Sequence, residues 1–179
     1  MRASVFIATS LDGFIARPDG SLDWLPGDDT LEEDHGYDAF IASVDVVIIG
    51  RGTYETVLAF PKWPYKPDLA VRVLSNGPLS IPATLPPKVE TMSGPPADIL
   101  ASLESQGFQH AYVDGGKTIQ GFLAARLIQR MTLTQIPVLL GRGIPLFGLL
   151  PGDLRFSLVK TRALAGGLVQ SEYEVVILP

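Results

Sequence analysis

The sequence contains no cysteine. This absence excludes disulfides, a thiolate nucleophile, zinc held by cysteine and iron–sulfur clusters. Histidine is almost as scarce, since His35 and His110 are the only two, and they are too far apart in the chain to show metal-ligand spacing. We therefore expect no bound metal.

Positive charge is also in short supply. The chain has 14 Lys and Arg against 19 Asp and Glu, which gives a formal net charge of -5. Because affinity for phosphate backbones comes mainly from clustered Lys and Arg, we expect no nucleic-acid partner. No apolar run approaches the roughly 18 residues of a membrane helix, and no signal-like segment begins the chain. We expect a cytoplasmic protein that does not bind membranes.

What the sequence does contain is typical of a compact globular domain. Of its 179 residues, 46% are hydrophobic and 18% are charged. A chain of this length buries a substantial core, and no repeat or linker divides it. We therefore expect one domain that spans residues 1–179.

Apolar runs and turn residues predict strands and helices that alternate along most of the chain. Two later runs flank Gly166-Gly167 as the strands of an antiparallel hairpin would. This order indicates an α/β fold, with a mostly parallel sheet between helices and an antiparallel C-terminal hairpin. The predicted strands are 3–10, 45–50, 69–76, 110–116, 154–164 and 168–178, and the predicted helices are 30–44, 53–60, 96–107 and 117–129. Residues 11–24 are rich in turn signals and predict a long loop over a site.

Two predicted strand-to-helix junctions carry paired glycines, Gly50-Arg51-Gly52-Thr53 and Gly115-Gly116-Lys117-Thr118. The first lacks the third glycine of a Rossmann fingerprint, because Glu55 stands in its place. The free N–H groups and dipole of a helix start nevertheless suit an anion, so two such junctions would hold a pyrophosphate. The alternatives are that the glycines serve only tight turns and that Arg51 forms a surface ion pair.

Six segments, in order along nearly the whole chain, resemble the dihydrofolate reductase fold. They are most similar to its branch that contains the C-terminal reductase domain of the riboflavin-biosynthesis protein RibD. The segments are SLDGFIA (10–16), VIIGRGTYE (47–55), VLSN (73–76), YVDGGKTI (112–119), PVLLGRGIPLF (137–147) and GGLVQSEYEV (166–175). The resemblance implies a dihydrofolate reductase-like three-layer α/β/α sandwich that binds NADPH.

The resemblance also implies roles for individual residues. The first strand and its loop would hold the nicotinamide, the first glycine junction the adenosine side and phosphates, the end of the third strand the ribose phosphate, and the second junction the pyrophosphate. Arg51 suits a terminal phosphate ester such as the 2′-phosphate of NADP. In that order, the implied cofactor-binding residues are Ala8, Asp12 and Ile15; Gly50, Arg51, Gly52 and Thr53; Ser75 and Asn76; and Gly115, Gly116 and Lys117.

The substrate side departs from the dihydrofolate reductase pattern, which places a cleft carboxylate shortly after a tryptophan and a proline. Asp28 follows Trp24 one residue too early, whereas Asp34 lies at a better distance from Gly50. We expect Asp34, with Asp28 as the alternative, to be the proton donor beside Trp24 and Tyr37. The alternative for Asp34 is a solvated acid that stabilises a helix start. Lys117 and Arg142 are the candidate groups for a substrate phosphate.

These expectations combine into one function and two alternatives. The first is an NADPH-dependent reductase of a small heterocycle, of the 5-amino-6-(5-phosphoribosylamino)uracil reductase type in riboflavin biosynthesis. The alternatives are a dihydrofolate reductase and a non-catalytic module that binds NADP or another nucleotide. The zinc deaminase domain of the bifunctional riboflavin protein needs cysteines, which this chain lacks. The resemblance and the apolar C-terminal strands together predict a homodimer.

Overall fold

The computed structural model describes residues 1–26 and 35–176. An eight-stranded sheet crosses the molecule in the order β5-β4-β3-β6-β1-β7-β10-β9, and β2 and β8 form a small antiparallel pair beside it. The strands are β1 (Arg2–Ser10), β2 (Phe14–Ala16), β3 (Val46–Gly50), β4 (Ala70–Leu74), β5 (Val89–Met92), β6 (His110–Asp114), β7 (Arg130–Ile136), β8 (Ile144–Pro145), β9 (Phe156–Ala163) and β10 (Val169–Val175). The helices are α1 (Tyr37–Ile41), α2 (Arg51–Leu58), α3 (Pro96–Ser105) and α4 (Gly116–Ala124).

The prediction of a mostly parallel sheet with an antiparallel C-terminal hairpin is confirmed. The pairings among β1, β3, β4, β5, β6 and β7 are parallel. Strand β10 runs antiparallel to both β7 and β9, so the hairpin forms one edge of the sheet. A short 3-10 turn at Ala165–Gly167 joins its strands, and both of its glycines have positive φ angles.

The continuous apolar run of β3 is explained by burial on both faces of the sheet. Val46 and Ile48 face the core that contains α3 and α4, whereas Val47 and Ile49 face the core that contains α1 and α2. Side chains alternate between the faces of a strand, so a central strand between two helical layers needs apolar residues at every position. The result is a three-layer α/β/α sandwich.

Three local predictions need correction. Residues 30–34 of the predicted helix 30–44 lie outside the described residues. In the described part of this segment the helix spans Tyr37–Ile41, because His35 and Gly36 before it have positive φ angles that no right-handed helix accommodates. The predicted loop 11–24 contains β2, which pairs with β8. Strand β5 was not predicted, because it is a four-residue edge strand with two exposed positions after a proline-rich connection.

Strand β9 leaves apolar side chains at an open edge of the sheet. Leu158 is 55% exposed and Val159 is 48% exposed. Such an edge needs covering, and a homodimer stays a prediction. Among the described residues, no helix combines the length and apolar character that a membrane crossing requires.

The two glycine junctions lie against each other, because β3 and β6 are neighbours and each leads directly into a helix. A Cβ atom on Gly50 would lie 2.7 Å from Thr118 Oγ1 of α4. A Cβ atom on Gly115 would overlap the Thr53 side chain of α2, and Gly115 also has a φ of +90°. Each junction therefore needs a glycine because the threonine of the other helix occupies the space of a side chain.

This contact predicts that Gly50→Ala destabilises the fold by about 1–3 kcal/mol, since the added methyl group overpacks the junction. The backbone of Gly50 has ordinary angles, so the cost is steric rather than conformational. In a Thr118→Ala background, which removes the opposing hydroxyl, Gly50→Ala should cost much less. Urea unfolding of the four proteins of this cycle measures the difference.

Gly121→Ala is the matched control, because Gly121 lies inside α4 with open space around it. This control should raise stability by up to about 1 kcal/mol, as alanine favours helix over glycine. Equal destabilisation by Gly50→Ala in both backgrounds would contradict the proposed contact.

Candidate cofactor and substrate cleft

A cleft of about 1150 Å³ opens at the carboxyl ends of the parallel strands. Its lining includes residues that end β3, β4 and β6 and residues from the first turns of α2 and α4. Ligands of open α/β sheets bind in a crevice at this edge, where strands lead into helices. The volume exceeds that of an ordinary single-ligand pocket and suits a dinucleotide with a second small molecule.

Nearly all the residues implied by the family resemblance as cofactor-binding meet in this one cleft, with Asp12 as the exception. Although they come from four separate parts of the sequence, the sheet brings them together. Their contact with a cofactor stays a prediction. The cleft-lining members are Ala8, Ile15, Gly50, Arg51, Gly52, Thr53, Ser75, Asn76, Gly115, Gly116 and Lys117.

Asp12 has a different place in the structure. Its carboxylate accepts hydrogen bonds from Ser10 Oγ at 2.6 Å and from the backbone N–H groups of Leu140 and Gly141 at 3.1 and 2.7 Å. The Ser10 hydrogen bond, supported by the backbone donors, lowers the pKa of Asp12 below its usual value. Asp12 thus holds the loop after β7 against the end of β1, and it is not a lining residue of the cleft.

The predicted substrate and catalytic residues are divided. Tyr37 lines the cleft, whereas Trp24 and Arg142 do not. The indole N–H of Trp24 is buried and has no hydrogen-bond partner among residues 1–26 and 35–176. Arg142 is exposed on the loop before β8. Asp28 and Asp34, the predicted proton donors, lie outside the described residues.

Asp114 is a carboxyl group in the cleft that we did not predict as a site residue. It is the last residue of β6 and directly precedes the Gly115 junction. Burial raises its pKa from 3.8 to about 6, although the Gly115 N–H, 2.8 Å from Oδ1, and the Tyr65 hydroxyl oppose this shift. The Tyr65 hydroxyl lies 3.5 Å from Oδ2, a long and weak hydrogen bond.

Three tyrosines surround Asp114 on the cleft side, namely Tyr37, Tyr65 and Tyr112. Burial raises the pKa of Tyr37 to about 12 and raises the pKa values of Tyr65 and Tyr112 well above the usual value. The negative charge of Asp114 adds to each shift. All three phenols therefore stay neutral, and the cluster offers hydroxyl groups and ring surfaces around one carboxyl group of raised pKa.

The sequence does carry a signal for Asp114. An acid at the last position of a buried strand, just before a glycine and a helix start, lies at the edge of the sheet where ligands bind. The segment HAYVDGG has this form. Asp114 was not predicted for two reasons. The dihydrofolate reductase pattern places the acid after Trp24, and an acid at the end of a strand is also a common turn residue.

The other end of the cleft is charged and open. Arg51 Nε donates a hydrogen bond of 2.8 Å to Glu55 Oε1, one turn further along α2, and both residues line the cleft. Lys117 lies in the first turn of α4 and is exposed. Among the described lining residues, Arg51 and Lys117 are the two cationic side chains. Both lie where free helix N–H groups already favour an anion.

Comparison with solved structures finds the same fold over nearly the whole chain. A protein from Shewanella sp. PV-4 that is named for riboflavin biosynthesis is 41% identical, with a TM-score of 0.91 over 99% of this chain and 100% of that one. A diaminohydroxyphosphoribosylaminopyrimidine deaminase/5-amino-6-(5-phosphoribosylamino)uracil reductase from Thermotoga maritima has a TM-score of 0.71 at 17% identity, over 98% of this chain and 56% of that chain.

A dihydrofolate reductase from Enterococcus faecalis, complexed with NADP(H), has a TM-score of 0.68 at 17% identity, over 98% of this chain and 97% of that one. At such identity the likeness concerns the fold alone, and it confirms the predicted dihydrofolate reductase-like α/β fold. The family model for the RibD C-terminal domain matches residues 4–170. This chain therefore belongs to the RibD C-terminal domain family.

Proposed function

We propose that this protein is an NADPH-dependent reductase of a small nitrogen heterocycle, of the 5-amino-6-(5-phosphoribosylamino)uracil reductase type. The observation that carries the proposal is Asp114, a half-buried residue whose carboxyl pKa is raised to about 6 and which lies in the cleft directly beside the Gly115 junction. Family membership and the name of the Thermotoga maritima protein support the reductase class and this substrate type.

The cofactor end of the cleft fits a dinucleotide. Gly50 and Gly115 let the two helix N-termini meet closely. The N–H groups of a first helical turn have no partner within their helix and therefore suit an anion. NADPH would lie with its phosphates on these junctions and its 2′-phosphate beside Arg51, Ser75 and Asn76. When bound, the cofactor supplies the hydride, and this chain supplies binding, orientation and a proton.

The tyrosine-lined end of the cleft provides that proton. Reduction of a C=N bond adds a hydride to its carbon and a proton to its nitrogen, so a donor must lie near the nitrogen. Asp114 keeps its proton to a higher pH than an exposed aspartate because burial disfavours its ionised form. The neutral phenols of Tyr37 and Tyr65 would flank the heterocycle and limit access of water.

The proposed activity is tested by following oxidation of NADPH by its absorbance. We expect oxidation with the deaminated phosphoribosylaminouracil and little with dihydrofolate. Faster oxidation with dihydrofolate would favour the dihydrofolate reductase alternative. NADPH binding without oxidation of either substrate would contradict the proposed reaction and favour a non-catalytic binding module.

Asp114→Asn should lower kcat/KM by about 10²–10⁴, the usual contribution of a general acid. In the unmodified protein kcat/KM should fall as pH rises through about 6, because Asp114 loses its proton there. In the variant this dependence should disappear. Asp19→Asn is the matched control, since Asp19 is an exposed acid that also lines the cleft. An unchanged pH profile in Asp114→Asn would exclude Asp114 as the donor.

Unfolding of the same variant gives a second readout that does not depend on activity. Between pH 3.8 and about 6 the unfolded chain ionises Asp114 while the folded protein keeps it protonated, so stability falls as pH rises across this window. Above this window Asp114 is ionised in both states, and its buried charge lowers stability by an amount that no longer depends on pH. Asp114→Asn should therefore be about 3 kcal/mol more stable than the unmodified protein above the window and equally stable below it.

Arg51→Gln should raise the Kd for NADPH about tenfold, because a charge-assisted hydrogen bond to the 2′-phosphate is lost. The Kd for NADH, which has a hydroxyl in that place, should rise less than about twofold. Isothermal titration with both dinucleotides measures how much the substitution changes each Kd. Arg155→Gln, an exposed position outside the cleft, controls for the change in net charge. An equal loss of affinity for both dinucleotides would contradict a phosphate-specific role.

A further inference from the structure

Arg51 and Glu55 form an ion pair at the cleft. They carry the two opposite charges by which dinucleotide sites distinguish NADP from NAD. Arg51 Nε and Glu55 Oε1 are 2.8 Å apart, and the side chains are 54% and 56% exposed. A pair this exposed contributes little to stability, so it does not explain why both side chains lie at the cleft. Both line the end where the adenosine of NADPH is proposed to lie.

The Arg51–Glu55 pair determines the charge at the end of the cleft where the adenosine is proposed to lie. Gly50 is in register with Leu74, so Ser75 and Asn76 follow at the same edge as Arg51. The Ser75 hydroxyl already donates to the Gly77 carbonyl at 2.9 Å, and Asn76 is neutral. Lys117, the other cation among the described lining residues, belongs to the α4 junction. Arg51 and Glu55 are therefore the charged side chains that the adenosine ribose would meet first.

The two residues favour different forms of that ribose. A guanidinium accommodates the 2′-phosphate of NADP, whereas an acidic side chain accepts a hydrogen bond from the 2′-hydroxyl of NAD. Glu55 occupies only Nε of Arg51, so the terminal nitrogens remain available for a bidentate contact with phosphate. A phosphate held there lies close to the Glu55 carboxylate and carries about 1.5–2 negative charges at neutral pH.

The size of the repulsion follows from Coulomb's law. In water a unit charge about 6 Å from such a phosphate weakens its binding almost tenfold, and screening over a Debye length of about 8 Å reduces this to about threefold. The hydrogen bond to a 2′-hydroxyl strengthens NADH binding by a similar factor of about threefold. Glu55 thus weakens NADPH binding and strengthens NADH binding. Together the two effects shift the selectivity between the cofactors towards NADH by about tenfold.

We propose that Glu55 is a specificity-determining residue that offsets Arg51 and makes this a dual-cofactor site, which accepts NADH as well as NADPH. The inference rests on the proposed dinucleotide site and not on any particular substrate. It assigns a role to the position where a Rossmann fingerprint has its third glycine. Glu55 accepts a hydrogen bond from the 2′-hydroxyl of NADH, and Arg51 binds the 2′-phosphate of NADPH.

The test is isothermal titration of NADPH and NADH into the 179-residue chain and its Glu55→Gln variant, without substrate. The variant should bind NADPH about threefold more tightly and NADH about threefold more weakly. Glu174→Gln is the matched control, because Glu174 is equally exposed at 56% and pairs with Arg130 at 3.0 Å outside the cleft. The control should change neither Kd.

The salt dependence of binding separates this role from a structural one. Because Glu55→Gln removes a negative charge beside the phosphate, its gain in NADPH affinity should shrink as salt is added. An unchanged ratio of the two Kd values, or an equal change in both, would overturn the role of Glu55 while leaving the dinucleotide site intact. Failure of the unmodified protein to bind either dinucleotide would overturn the proposed function as well as this inference.

Discussion

The contact between the N-termini of α2 and α4 is the constraint on which the cleft depends. Gly50 faces Thr118 and Gly115 faces Thr53, so each helix starts in the space that the glycine of the other leaves open. Two helix starts this close also place their positive dipole ends side by side. In the absence of an anion they repel each other, so close packing at these glycines must hold them together. The packing of these four residues therefore fixes the geometry of the proposed phosphate site.

The two ends of the cleft differ in physical character, so each suits a different kind of ligand. The helix junctions, with Arg51 and Lys117, form an open and positively charged end. Around Asp114 the lining is aromatic and enclosed, and the pKa values of its acid and phenols are raised by burial. Phosphates suit the first environment, because charge remains solvated there. A neutral heterocycle and a protonated carboxyl group suit the second, because neither brings a full charge out of water.

Sequence reasoning succeeded where a pattern has one local cause. The apolar run of β3 predicts a central strand, and Gly166-Gly167 between apolar runs predicts the hairpin. Strands β2, β5 and β8 were not predicted because they have two to four residues, too few to show a period, and are formed through pairing with distant partners. The seven-residue strand β7 was also not among the predicted strands. Gly50 and Gly115 were predicted to bind phosphate, but their packing against threonines from the other junction appears only in three dimensions.

Asp114 shows why an acid of raised pKa is harder to predict from sequence than a pair of glycines at a helix start. Its raised pKa comes from burial, and that burial is produced by residues distant in sequence, including Tyr37 and Tyr65. Its position, however, follows directly from the chain: Asp114 ends β6, and its carboxylate accepts the N–H of Gly115, where the second phosphate junction begins. The proposed proton donor and the proposed phosphate site are therefore joined by one peptide bond. A dinucleotide placed on the Gly115 junction is set at a fixed distance from the carboxyl group, whichever heterocycle lies between them.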